Sequence, residues 1–397
     1  MYGATIRFVK KPLKTALIYS LRVFTIDVLT VINGKQSTIC MEQQMSEQIL
    51  TLSQLGWRPY FQQQLTLDDL TDLQTGRVIE QHRSSIIVLS EQGQASLLPP
   101  SGDDRVCVGD WVLFDENLRI QRVLDRQSLF DRKAPGSKVA TQLIAANVDS
   151  VMIVCSLNND FNLSRIERYL AIAKEAEVEP VVVLTKADLC DDADDKQDQV
   201  QKLNRMMSVY SVNALDSNDL VALHSYCKNG QTIAFLGSSG VGKSTLVNGL
   251  LGFEAQETGD IREDDSKGRH TTTYRALKLM PQGGLLMDTP GMRELQLSDC
   301  EQGVNATFSE ITDLAYNCRF GDCTHTSEPG CAVLKAVESG VLEERRLVSY
   351  QKLMREQAIN GASLAEQRAK DKAFGKMVHG AIADARSRKK GYESAAY

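Results

Sequence analysis

Residues 232–245 read TIAFLGSSGVGKST. Gly237, Ser238, Ser239, Gly240, Val241, Gly242, Lys243 and Ser244 fully match the pattern G-x-x-x-x-G-K-[ST], and Thr245 follows directly. The chemistry that needs these types at this spacing is the holding of a polyphosphate. Glycines let successive backbone N–H groups turn inward on an anion. The N-terminus of a following helix adds a favourable field. Lys243 reaches the outer phosphates as the cation of the reaction, and Ser244 offers its hydroxyl to Mg²⁺. The apolar run 233–236 predicts a buried strand before the loop, and 246–251 begins a helical pattern after it. A phosphate-binding loop requires that strand–loop–helix context.

Three further stretches carry matching chemistry. Asp288 ends the apolar run GLLM and opens DTPG, so its carboxylate is expected at a strand tip. There it holds Mg²⁺ through water, while the N–H of Gly291 approaches the outermost phosphate. Thr185, Lys186, Ala187 and Asp188 follow another apolar run, VVVL. A carboxylate at 188 accepts two hydrogen bonds from the ring and amino nitrogens of guanine, which adenine cannot supply. The stem of Lys186 lies along the base. Such a box ordinarily begins with Asn, and this one begins with Thr185. Asn213 and Ala214, after SVYSV, offer a backbone contact on the base side.

The order is unusual, because the base box precedes the phosphate loop. That is a circular permutation, which domains tolerate because their chain ends lie close together on the surface. It leaves residues 258–291 leading directly into the C-terminal part, so a nucleotide-dependent change in them pulls on that part. Met292 stands after DTPG, where many GTPases place a glutamine that orients water. Methionine cannot do this, which predicts slow intrinsic turnover. His270, in GRHTTT, is the candidate to orient that water when a partner orders the loop, and Thr272 the candidate to complete the Mg²⁺ shell. The alternative for His270 is an ordinary exposed loop histidine.

Cys318, Cys323, His325 and Cys331 form a second cluster, C-x4-C-x-H-x5-C. Three thiolates and one imidazole suit tetrahedral Zn²⁺. Four protein ligands leave no open position, so the ion is structural. The segment is expected to fold only with its metal.

The elements that must position these residues are legible in outline. A chain of 397 residues suggests two to three domains. A net charge of −6 gives no global attraction to nucleic acid, so contact with RNA has to come from local patches. Nine cysteines, three of them clustered with a histidine, read as a metal site in a reducing compartment. The apolar stretch 16–32 is interrupted by Arg22 and Asp27, which argues against both a signal peptide and a membrane span. Residues 1–44 read as an upstream extension, with Met41 or Met45 as the start. A helix-rich lead follows over 45–74.

Short alternating runs over 75–130 predict a small β-barrel, with an OB-fold as the natural candidate and a β-sandwich fragment as the alternative. Arg77, Arg83, Arg105, Arg119, Arg122 and Arg126 either feed an RNA-binding face of that barrel or are balanced by nearby acids. Residues 130–145 read as a polar connection. From 148 onward strands and helices alternate, predicting a mostly parallel sheet with ligand at the carboxyl ends of its strands. Helices are expected over 191–206, 217–227, 333–354 and 358–383. The resulting divisions are an α/β nucleotide domain over 131–297, a zinc-binding unit over 298–360 and a basic helical tail over 361–397. Arg368, Lys370, Lys372, Lys376, Arg386, Arg388, Lys389 and Lys390 make that tail basic, either as a solvated face or as a contact to RNA phosphates.

With TKAD, GSSGVGKST, KGRHTTT, DTPGMREL and CRFGDCTHTSEPGCAV in that order, the chain resembles the RsgA (YjeQ/YloQ) family of ribosome small-subunit assembly GTPases over about residues 48–360. The resemblance implies an OB-fold, a circularly permuted P-loop GTPase domain and a C-terminal helical zinc-binding domain. It implies a cytoplasmic monomer, without a membrane partner, that binds the small ribosomal subunit and 16S rRNA late in maturation. It further implies that the protein hydrolyses GTP to GDP under ribosome stimulation. Nucleotide binding by 185–188 and 237–245, zinc binding by the four cluster residues and catalysis by His270 carry over by matching motif. Two other classes stay open: a GTP-dependent RNA-binding module in which hydrolysis is incidental, and a P-loop ATPase or kinase, which TKAD disfavours.

Overall fold

The apolar runs in the middle of the chain become the inner strands of one sheet. The computed structural model describes residues 50–82, 84–100, 105–133, 141–158, 160–252, 275–288, 292 and 300–361. The extension 1–44, His270, Thr272, Gly291, Arg83 and the tail beyond 361 lie outside the described residues.

Five parallel strands run in the order β10 (Ser208–Val212), β9 (Glu179–Thr185), β8 (Ser150–Ser156), β11 (Thr232–Leu236) and β13 (Leu285–Asp288). β8 and β9 are buried almost end to end, as parallel strands covered on both faces must be. Alternation then sorts their side chains. Val151, Ile153, Val182 and Leu184 face one core, while Met152, Val154, Val181 and Val183 face the other. α3 (Leu163–Glu175) covers the first face with Ile166 and Leu170; Asn162 caps it by accepting the Arg165 N–H at 3.0 Å. α5 (Lys243–Leu251) covers the second face with Leu246 and Leu250. α4 (Ala193–Gln201) lies between β9 and β10 in sequence.

β12 (Arg275–Leu279) is antiparallel to β13 and continues the sheet into the N-terminal strands, pairing with β1 (Gln74–Gln81) through Glu80↔Ala276 and Gln81↔Arg275. β1 also pairs antiparallel with β2 (Ile86–Ser90) and β4 (Trp111–Phe114). β2 carries β3 (Gly93–Leu97), and β4 carries β5 (Ile120–Val123). A parallel bridge between Leu98 and Arg119 draws the two outer strands together. Val78, Val88, Leu97, Val112 and Phe114 fill the interior. Two short helices, α1 (Pro59–Gln62) and α2 (Leu67–Asp72), form the lead, and Leu55 and Phe61 are buried there.

Among the described residues, four helices follow the sheet: α6 (Glu301–Thr307), α7 (Ser309–Ala315), α8 (Ala332–Glu338) and α9 (Glu344–Gly361). They dock on α3. α6 comes so close that a Cβ at Gly303 would sit 2.1 Å from the Ala171 carbonyl oxygen. The Gly303 N–H donates to Glu175 Oε2 at 2.6 Å. Beneath them Glu167, fully buried on α3, accepts hydrogen bonds from Arg345 and Arg346 at 2.8 Å each and from the Ser349 hydroxyl. Arg346 also binds Glu310 and lies 4.3 Å above the Phe308 ring.

Several expectations need correction. Residues 130–145 are not a mere connection, because β6 (Leu129–Lys133) and β7 (Thr141–Ala146) pair antiparallel and bury Phe130, Ile144 and Ala145. The helix expected over 217–227 is a 3-10 turn at Val221–Cys227, and that over 191–206 is only α4. The 333–354 helix breaks near Gly340, whose φ of +73° no ordinary helix accepts. Among the arginines of the N-terminal strands, Arg77 is an internal fastener, Arg122 and Arg126 are half-buried, and Arg105 is exposed. Arg77 is 1% exposed, donates to the carbonyls of Leu55, Gly109 and Asn147, and has its pKa lowered to about 10 by burial. Arg126 binds buried Asp110, Arg105 donates to the Thr141 carbonyl, and Arg122 pairs with Asp69. Arg119 remains exposed.

Candidate nucleotide site and metal centre

Residues from distant parts of the chain meet at one edge of the parallel strands, their carboxyl ends. The phosphate-loop sequence begins where β11 stops at Leu236. Gly237, Gly240 and Gly242 have φ of 148°, 78° and 90°. At Gly237 a Cβ would lie 2.4 Å from the Val154 carbonyl oxygen of β8, so the loop seats against that strand only with glycine there. Lys243 opens α5 and is buried. Its Nζ crosses the loop and donates to the Gly237 carbonyl at 2.7 Å and to the Ser238 carbonyl. Ser239 and Gly240 are exposed, Ser244 and Thr245 half-buried in the first helical turn, and Val241 is buried.

The TKAD turn leaves β9 beside this loop. Thr185 is fully buried, and its Oγ1 donates to the Val241 carbonyl at 2.6 Å. Lys186 adopts φ +60°, and its Nζ donates to the Gly240 carbonyl at 3.1 Å. Ala187 and Asp188 form a 3-10 turn, with the Asp188 carboxylate exposed at the rim. At the tip of β10, the Asn213 N–H donates to Asp219 Oδ2 at 2.8 Å, and Asn213 Oδ1 accepts the Leu215 N–H at 3.0 Å. The Ala214 carbonyl backs onto α5, 3.4 Å from where a Cβ of Gly249 would lie.

Asp288 is the last residue of β13, next to the loop-bearing β11. Its Oδ2 is 3.1 Å from the ammonium of Lys278 on β12. Nothing in the local sequence singled out Lys278. The Met292 side chain is 3% exposed and packs into the core.

The strand order explains the meeting. The chain moves outward from β8 to β9 and β10 on one side, and from β11 to β13 on the other. The crevice outside their carboxyl ends, at the change of direction, is where open α/β sheets bind ligands. A carboxylate from Asp288 and a hydroxyl from Ser244 are hard oxygen donors, the kind Mg²⁺ takes.

The cysteine–histidine cluster also assembles. The four ligand atoms lie within 4.8 Å of one another. Cys318 Sγ is 3.8 Å from Cys331 Sγ and 3.7 Å from His325 Nδ1. Two sulfurs on one tetrahedral zinc ion are about 3.8 Å apart, given Zn–S bonds of roughly 2.3 Å. The donor set and the spacing therefore fit zinc. Burial lowers the His325 pKa and keeps the imidazole neutral, the form a metal takes. Around it the loop is tied by Glu328. Hydrogen bonds from the Thr324 side chain and from the N–H groups of Thr326, Ser327 and Thr324 hold its carboxyl far below the usual range. Gln351 of α9 donates to the His325 carbonyl at 2.7 Å.

A mostly parallel sheet with the TKAD strand encoded before the phosphate-loop strand defines a circularly permuted member of the P-loop GTPase class. A family model described as "RsgA GTPase" matches residues 123–298. "Small ribosomal subunit biogenesis GTPase RsgA 2" of Vibrio parahaemolyticus is 60% identical over 341 residues, covering 86% of this chain and 95% of that protein. Among solved structures, YjeQ from Thermotoga maritima superposes with a TM-score of 0.55 at 28% identity, covering 72% of this chain and 98% of that one. The structure titled "YloQ, a circularly permuted GTPase" gives 0.51 at 25% identity, covering 72% and 95%. The chain belongs to the RsgA family of GTPases.

Proposed function

We propose that this protein is a GTPase of small ribosomal subunit biogenesis that binds the subunit late in its maturation and hydrolyses GTP to GDP and phosphate. The observation that carries the reading is the double fastening of the TKAD turn to the phosphate loop, Thr185 to Val241 and Lys186 to Gly240. It supports reading the guanine-type carboxylate and the phosphate-type loop as parts of one site. In this reading Asp188 selects the base, with Thr185, Lys186, Ala187, Asn213 and Ala214 around it. Residues 237–245 wrap the phosphates, and Lys243 exchanges its loop carbonyls for phosphate oxygens. Ser244, Thr272 and Asp288 serve Mg²⁺, Gly291 meets the outermost phosphate, and His270 orients the attacking water.

The five N-terminal antiparallel strands, in the order β3-β2-β1-β4-β5 with the Leu98–Arg119 bridge, are read as an OB-fold. The zinc ion closes the C-terminal unit without taking part in hydrolysis. Residues 75–130, 131–297 and 298–360 are the three working units, acting as a monomer on 16S rRNA in the cytoplasm. Buried Met292 favours a low intrinsic rate and keeps a second reading in play, a GTP-dependent ribosome tether. Turnover of GTP and ATP, each with and without mature small subunits, tests the proposal. Slow GTP hydrolysis that accelerates with subunits supports it, absence of stimulation favours the tether, and equal use of ATP contradicts both.

A further inference from the structure

Lys278 is the cation paired with Asp288, at 3.1 Å between β12 and β13. In the register of these strands Ala276 stands opposite Asp288 and Lys278 opposite Leu286, so the pair is a diagonal cross-strand contact. The lysine side chain is 36% exposed and the carboxylate 19%, which leaves the pair partly screened but not fully in water. β12 is hydrogen-bonded on both sides, to β13 and to β1. The ammonium is therefore presented by a fixed strand.

We propose that Lys278 is a positioning residue that sets the Mg²⁺ requirement of nucleotide binding by competing with the metal for the Asp288 carboxylate. This rests on the reading of Asp288 as a metal-serving group. Two cations sharing one carboxylate repel each other. Mg²⁺ keeps several of its waters, and a carboxylate that holds it through one of them accepts that water's proton more weakly once an ammonium has neutralised it. Lys278 has two courses when the metal arrives. It moves off Oδ2 and loses its pair, or it stays and leaves only Oδ1. Either course lowers the affinity for Mg²⁺.

The test uses the full chain loaded with mant-GDP and reads the free Mg²⁺ concentration that halves the rate of mant-GDP release. Lys278→Met keeps the length of the stem and removes the charge; it is expected to lower that concentration roughly fivefold, the scale of one nearby charge in a partly solvated site. Lys278→Arg keeps the charge and is expected to stay near wild type. Asp288→Asn is expected to raise the concentration. An unchanged or raised Mg²⁺ requirement in Lys278→Met, with Asp288→Asn raised, overturns the competition alone. An Asp288→Asn variant that titrates like wild type overturns the metal reading of Asp288 and the competition with it. Thermal melting of each variant establishes that it is folded.

Discussion

The Thr185 hydroxyl donates a 2.6 Å hydrogen bond to the Val241 carbonyl, joining the end of β9 to the loop after β11 across the intervening strand β8. Both residues are buried. Threonine at this place therefore fixes one loop to the other. Thr185→Val removes the donor and leaves the Val241 carbonyl without its partner, at a cost of about 1–3 kcal/mol. Affinity for GDP is expected to fall about tenfold, while Thr185→Ser stays close to wild type. Equilibrium titration with mant-GDP reads both, and equal affinities in the three proteins would remove the bond from the account.

The C-terminal helices are held on α3 by charge as well as by packing. Glu167 is fully buried, and its partner Arg346 is nearly so. Replacing Glu167 with Ala removes the buried carboxylate shared by Arg345 and Arg346 and leaves Arg346 only Glu310, so the cost is expected to fall below the about 3–5 kcal/mol of a buried pair broken outright. The expected result in a urea titration is an early transition in which α6–α9 separate from the sheet. Glu167→Gln keeps the acceptor and should lose less.

The zinc proposed for the cluster would tie 318–331, a loop that meets α9 through the Gln351–His325 hydrogen bond, whereas Glu167, Glu310 and Arg346 tie α9 without it. A chelator is expected to expose backbone amides of 318–331 to hydrogen exchange while those of α3 and α9 keep their protection. Protection of 318–331 that survives complete metal removal would contradict a structural zinc site.

Gly303 gives the same interface a steric test. A Cβ there would be 2.1 Å from a backbone oxygen of α3, which cannot rotate away. Gly303→Ala should push α6 outward and lower the melting temperature by several degrees, roughly the effect of 1–3 kcal/mol of overpacking. A melting curve that overlays wild type would mean that α6 does not lie this close.

What could be read from the sequence was what is local. The phosphate loop, the TKAD turn, the strand tip at Asp288 and the metal spacing are each short, and each sits in the flanks its chemistry needs. Contacts between distant segments were not legible. Thr185 looked like a weak substitute for asparagine until its hydroxyl met Val241, and Lys278 carried no motif at all. For the arginines of the N-terminal strands, the sequence left an outward RNA-binding face and balance by nearby acids equally open. Sequence cannot tell a surface arginine from one like Arg77, which is drawn inside by three carbonyls that need a donor. The β6–β7 pair was hidden by the Pro135–Gly136 stretch between its strands, which reads as a loop however well its flanks alternate.

The most direct measurement is competition of unlabelled GTP and ATP against mant-GDP on the wild-type chain and on Asp188→Asn. If the exposed carboxylate on the TKAD turn reads the base of the nucleotide whose phosphates Lys243 holds, the wild type prefers GTP strongly. Asp188→Asn then loses that preference while its fold is unchanged. Equal competition by GTP and ATP in the wild type, or unchanged selectivity in the variant, would contradict the account.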